Sequence, residues 1–215
     1  MASKNHDQEP VEAGVKPSVK GGAAPKSAKA EARREAILRG VTEIITRDGY
    51  RHQSLRELAK ALGMEAQHVL YYFGNREELL QGVIELWDAD SVRDPDLAGM
   101  VLPSLDLYVA AVRRSCAAPG IGYLYLSLAA NAVVPSHPAH EFMKARQEMV
   151  RRDLVAAIEA EQAAGTIAQT IDAKVAARQL SALANGLQLQ ALINPDCDPA
   201  GDMAAAIRHL RGQVD

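Results

Sequence analysis

From Ala30 onward the apolar residues recur at helical spacing, and no segment alternates in the manner of a strand, which restricts the chain to an all-α architecture. Composition agrees. Hydrophobic residues make up 48% of the chain, enough for a real core, while aromatics make up only 4% and Ala and Leu are plentiful. At 215 residues the chain has room for one sizeable domain or two small ones.

Gly and Pro cut the periodic pattern into about nine helices. Ile37, Leu38, Val41, Ile44 and Ile45 form one face of the first, which Gly49 closes. A second starts at Ser54, where Ser54 and Glu57 have the spacing of a capping box; Leu55, Leu58, Ala59 and Leu62 are its apolar positions. Gly63 breaks it after about two turns. A third short helix runs from Glu65 to Tyr72, anchored by Val69, Leu70 and Phe73. Asn75 and Glu78 cap a fourth, with Leu79, Leu80, Val83, Ile84 and Trp87 on its inner face. Further helices are expected over about 102–117, 120–133, 137–164, 172–193 and 199–212.

Residues 1–29 are rich in Lys, Ala, Gly, Pro and Ser and lack large apolar side chains, so they are expected to form a disordered basic tail. Charge is mildly uneven: residues 1–80 hold 13 Lys/Arg against 11 Asp/Glu, and residues 81–215 hold 11 against 16, so the front suits a polyanion better. Cys116 and Cys197 suggest no disulfide framework and fit a reducing cytosol. The N-terminus has no signal-peptide core, and the apolar stretch Ile121 to Val134 is too short to span a bilayer. A cytoplasmic protein without a membrane partner is the expectation.

Two short helices joined through a Gly-containing turn over residues 53–73 make a helix-turn-helix candidate. An α-helix fits the DNA major groove, and the front of the second helix reaches base edges. A plain helical hairpin in an all-α core has the same spacing, so periodicity alone leaves both readings open.

The order Ser54-Leu55-Arg56-Glu57-Leu58-Ala59, Leu62-Gly63, Val69-Leu70-Tyr71-Tyr72-Phe73-Gly74-Asn75-Arg76-Glu77-Glu78-Leu79-Leu80 resembles the TetR family of transcriptional regulators over about residues 31–90. One departure is Leu70, where the family often has Tyr. A second, weaker match is Ala182-Leu183-Ala184-Asn185-Gly186-Leu187-Gln188-Leu189-Gln190 followed by Pro195, which is similar to the penultimate helix of a subgroup of that family.

The resemblance implies a three-helix DNA-binding domain over 30–75 and an effector-binding and dimerisation domain over 76–215. It implies a homodimer that binds double-stranded, palindromic operator DNA and acts as a repressor released by a small-molecule effector. Ser54 would cap the second helix and touch a phosphate, and Arg56 would reach a base or phosphate. Ala66, Gln67 and His68 would face base edges, while Tyr71, Tyr72 and Arg76 would hold the DNA backbone.

For the effector, the middle helices offer Tyr108, Tyr123, Leu124, Tyr125, Leu128, Phe142 and Met143 as pocket candidates. For the dimer, Leu180, Leu183 and Leu187 repeat on one helix and Met203, Ile207 and Leu210 on the next. The same stripes would serve equally within one chain. His137, His140 and Glu141 resemble a metal cluster but lack the spacing of a helix-borne zinc site. An all-helical metal-binding protein or enzyme using residues 137–141 is the alternative reading. The expectation is no metal, no cofactor and no catalysis, because no nucleophile motif, P-loop or dinucleotide fingerprint occurs.

Overall fold

A computed structural model describes residues 27–92 and 103–213. Among the described residues there are nine helices and no strand. They are α1 (Ala28–Asp48), α2 (Leu55–Ala61), α3 (Ala66–Phe73), α4 (Arg76–Val92), α5 (Leu105–Cys116), α6 (Pro119–Asn131), α7 (His140–Ala163), α8 (Ala173–Ile193) and α9 (Pro199–Leu210). Up to residue 26, the expected disordered tail lies outside the described residues. Ser27 caps α1 by accepting from the Ala30 N–H, so Ala28 and Lys29 are helical.

Local chemistry sets the boundaries. Gly49, at φ 77°, ends α1, and its N–H donates to the Ile45 carbonyl at 3.0 Å. Asn75 starts α4: its Oδ1 accepts from the Glu78 N–H at 2.8 Å. Pro119 sits in the first turn of α6, where a missing N–H costs nothing. Asp172 and Asp198 cap α8 and α9 by accepting from backbone N–H groups of the following turn.

The apolar faces gather into two clusters. The first joins α1, α2 and α3 to Leu79, Leu80, Val83 and Ile84 of α4 and to Ile121, Leu124 and Leu128 of α6. The second joins α5, α7, α8 and α9 through Leu105, Leu154, Ile158, Leu180, Leu187, Met203 and Ile207. The first core therefore has no seam at residue 75; it extends across α4 onto α6. Arg211, after α9, is held on Glu161 at 2.6 and 2.7 Å and on Asp106 at 3.1 Å, which fastens the end of the chain to α7 and α5.

Candidate nucleic-acid interface and buried cavity

Ser54 and Glu57 form a complete capping box. Ser54 Oγ accepts from the Glu57 N–H at 3.3 Å, and Glu57 Oε2 accepts from both the N–H and the hydroxyl of Ser54 at 2.7 Å. The Ser54 hydroxyl, and secondarily its N–H, hold the Glu57 carboxyl below the usual carboxylate range. Gly63, at φ 66°, then turns the chain into α3.

On α3, Val69 and Phe73 are one turn apart and fully buried, with the Arg34 guanidinium 4.8 Å from the Phe73 ring centre. Gln67 and Tyr71, also one turn apart, face the opposite way. Gln67 and His68 are exposed, and Tyr71 is 80% exposed. The outward row of α3 is therefore Gln67, His68 and Tyr71. Leu70, expected as an inner anchor, is 41% exposed on the flank, because its place on the helical wheel lies away from the Val69–Phe73 line. Ala66 and Tyr72 are half-buried and pack against the first core. Arg56 is exposed, and with Lys60 one turn later it rims a shallow depression beside Gly63 and Ala66. Lys60 is a basic residue on this surface that the sequence reading missed, although its position four residues after Arg56 was the available signal.

Arg76, expected to hold the DNA backbone, is engaged with its own chain. Its Nε donates to the Gln53 carbonyl at 2.7 Å and its Nη2 to the Tyr50 hydroxyl at 2.6 Å, while Nη1 pairs with Glu77 at 3.1 Å. All three guanidinium nitrogens are thus engaged inside the protein, bracing residues 50–53, the segment that feeds α2.

The same segment is held from the other side by α6. Tyr123 meets the Tyr50 and His52 rings edge-on at 5.8 and 5.5 Å, and its hydroxyl lies 2.9 Å from His52 Nε2. His52 has φ 57°, the one positive value on a non-glycine residue among those described. At Gly120 the backbones touch: an added Cβ would come within 2.1 Å of the Ile45 carbonyl oxygen. Tyr123, expected in a pocket, instead links α6 to the loop before α2.

The opposite face of α6 borders a cavity of about 570 Å3 lying among α4, α5, α7 and α8, a volume in the range of small-molecule sites. Of the pocket residues expected from sequence, Tyr108 and Tyr125 line it. Leu124, Leu128 and Met143 are buried in the first core instead, and Phe142 packs against that core. The reason is rotational: Gly122 and Tyr125 turn one face of α6 to the cavity, so Leu124 and Leu128 must point elsewhere.

The walls are mostly apolar, with Ile84, Trp87, Leu107, Val112 and Leu154 among them. The sequence reading missed the charged pair at the cavity. Arg146 grips Asp88 at two points, 2.7 and 3.0 Å, and its guanidinium sits 4.6 Å from the Tyr125 ring centre. The Arg114 guanidinium lies 3.9 Å from the Trp87 ring centre, and Trp87 Nε1 is buried without a hydrogen-bond partner among the described residues. Burial pushes the Tyr108 hydroxyl up to about 12. Burial also pushes the Cys116 thiol up, the reverse of what an activated nucleophile needs.

The expected dimer stripes point inward. Leu180, Leu187, Met203 and Ile207 are buried in the second core, and Leu183 and Leu210 pack against it. Each stripe packs α8 and α9 within their own chain, with Leu183 and Leu210 still partly exposed. The exposed apolar side chains of α8 are Val175, Leu189 and Ile193, at 41, 51 and 76%. His137 and His140 serve local structure: His137 Nδ1 accepts from the Ala139 N–H, and His140 Nδ1 lies 2.8 Å from the Ala132 carbonyl. Among the described residues no group of three or more His, Cys, Asp or Glu side chains converges, and no helix is long and apolar enough to cross a membrane.

Two family models match the chain. One, for bacterial regulatory proteins of the tetR family, covers residues 37–83; the other, for the C-terminal part of BetI-type transcriptional repressors, covers residues 124–214. No curated protein matches the sequence. Among solved structures, a TetR transcription regulator from Haloarcula marismortui is 18% identical, with a TM-score of 0.67 over 86% of this chain and 100% of that one. NalD, the secondary repressor of the MexAB-OprM multidrug efflux pump in Pseudomonas aeruginosa, is 20% identical, with a TM-score of 0.58 over 86% and 97%. A proposed transcriptional regulator from Saccharomonospora viridis, in complex with choline, is 20% identical, with a TM-score of 0.62 over 83% and 95%. These likenesses share the fold.

Proposed function

Since the chain belongs to the TetR family of DNA-binding transcriptional regulators, we propose that it is a cytoplasmic repressor released from a palindromic operator when a small molecule fills the cavity. Residues 30–75 would read DNA, and residues 76–215 would bind the effector and form the dimer. The observation that carries this reading is the position of α6. Its Gly122 and Tyr125 face the cavity, while its Tyr123 and Gly120 press on the segment between α1 and α2. A molecule that shifts α6 shifts the start of α2, and with it the spacing between the two recognition helices of a dimer.

Gln67, His68 and Tyr71 form the outward row of α3 and are assigned to base edges; Ser54, Arg56 and Lys60 are assigned to phosphates. The exposed row Val175, Leu189 and Ile193 on α8 is assigned to the dimer in place of the buried stripes. The role is binding rather than catalysis.

Selection of bound fragments from a random DNA pool tests the reading. The expected product is an inverted repeat whose half-site centres lie about one helical turn, or a whole multiple, apart. Selected DNA without an inverted repeat, or a protein that sediments as a monomer when bound, overturns it.

A further inference from the structure

The cavity holds a side-chain amide and one guanidinium nitrogen that bond to none of the described residues, and they project over neighbouring turns of one helix. Gln188 is 8% exposed, the one polar side chain among the described residues buried to that degree, yet its amide bonds to none of them. It lines the cavity, and its Nε2 lies against Gly122, where a Cβ would come to 2.9 Å. Its amide atoms are not sealed, so they are reachable from the open space. Arg146 spends Nε and Nη2 on Asp88, and its Nη1 donates to no described residue. The guanidinium lies over Tyr125. Gly122 and Tyr125 are three residues apart on one face of α6, which separates them by about 4.5 Å along the axis. An amide and a pair of N–H donors therefore stand side by side between apolar walls. Unpartnered polar groups at this depth are costly, and a ligand that supplies their partners gains what the protein forgoes.

Charge narrows the class. An organic cation would look for an aromatic face, and of the three aromatics on the wall Arg146 already covers Tyr125 and Arg114 already covers Trp87, leaving Tyr108 alone. A carboxylate would look for Arg146, but Asp88 already occupies its two-point edge, and Asp153 adds a second negative charge to the wall. A neutral carbonyl meets neither obstacle: it accepts from Arg146 Nη1 or Gln188 Nε2, and an amide also donates to Gln188 Oε1. Resting on the assignment of this cavity as the effector site, we infer that its ligand is an uncharged amphiphile, an apolar body with a carbonyl-bearing head such as an amide or lactone, held by Gln188 and Arg146.

Trp87 is the single tryptophan of the chain and lines the cavity, so its fluorescence reports occupancy. Three probes with the same eight-carbon tail, octanamide, octanoate and octyltrimethylammonium, are titrated into the full chain. Octanamide is expected to bind about tenfold more tightly than either charged probe. Gln188→Met keeps the side-chain length, orphans no protein group and removes an unpartnered amide, so it melts at or above the parent while binding octanamide about tenfold more weakly. Gln188→Glu is the second variant, and it moves preference from octanamide to octyltrimethylammonium. A charged probe that binds as tightly as octanamide in the parent, or an octanamide affinity unchanged in both variants, overturns the inference while leaving the cavity as an effector site. If none of the three probes perturbs Trp87, the effector-site assignment itself fails and the inference with it.

Discussion

Replacing Arg76 with Met separates a brace from a phosphate contact. The substitution keeps the apolar stem and removes the guanidinium, and with it the bonds to the Gln53 carbonyl and the Tyr50 hydroxyl at 2.7 and 2.6 Å. Tyr50 is 6% exposed, so its hydroxyl loses a partner inside the protein. Hydrogen bonds to a charged donor contribute about 1.5–3 kcal/mol each. With the Arg76 side chain 24% exposed, part of that is recovered from water, and about 3 kcal/mol is the expected net loss. For a chain of this length that lowers the melting temperature by about 9 °C. The assay pairs urea unfolding with operator titrations at several salt concentrations. The brace predicts a lower unfolding midpoint, weaker operator binding, and a salt dependence with the same slope as the parent. A phosphate contact predicts the opposite pattern, unchanged stability and a slope reduced by about one. A variant as stable as the parent that has lost one unit of slope would refute the placement of Arg76.

Ser54→Ala removes both hydroxyl bonds of the capping box, keeps the backbone N–H bond to Glu57, and is expected to cost about 1 kcal/mol at neutral pH. Because the Ser54 hydroxyl also donates to the Glu57 carboxylate and holds it low, that bond's share of the difference is present above the ordinary carboxylate range and is lost as pH falls through the folded-state value, while the bond from the Glu57 N–H to Ser54 Oγ does not titrate. The gap between parent and variant in urea melts should therefore narrow on acidification; a gap that widens contradicts the cap. Gly120→Ala drives a Cβ into the Ile45 carbonyl and is expected to destabilise by about 3 kcal/mol, read as a lower melting temperature. Gly186→Ala, whose Cβ meets nothing within 4 Å, is the control and should not destabilise the monomer. Gln67→Ala should change base preference at one operator position by about 1–3 kcal/mol against a panel of single-base variants; an unchanged preference removes Gln67 from the groove. Leu189→Glu with Ile193→Glu should yield a folded monomer in sedimentation, whereas a persistent dimer places the interface elsewhere.

The all-helical class, the nine segments and their ends were legible in the sequence because they depend on near neighbours. Ser54 with Glu57, Gly49, Gly63, Asn75 and Asp172 act within a turn of themselves, and a period of 3.6 shows wherever one face is apolar. Gln67 and His68 were legible for the same reason, since the front of a short helix anchored by Val69 and Phe73 must face outward. Periodicity says that a helix has an apolar stripe but not what the stripe meets. Leu124 and Leu128 could have lined a cavity and instead fill the first core, while Leu180 and Met203 could have faced a second subunit and instead join α8 to α9. Contacts far apart in sequence carried no local signal. Arg76 with Tyr50, Arg146 with Asp88 and His52 with Tyr123 are separated by 26, 58 and 71 positions, and only the packing of α4, α6 and α7 brings them together. The sequence by itself determined the helices and their caps, which short-range hydrogen bonding and hydrophobic spacing fix. The tertiary structure decided which apolar face became core, cavity or surface, because that depends on the rotation of each helix against its neighbours, and close packing settles that rotation only when all of them are present.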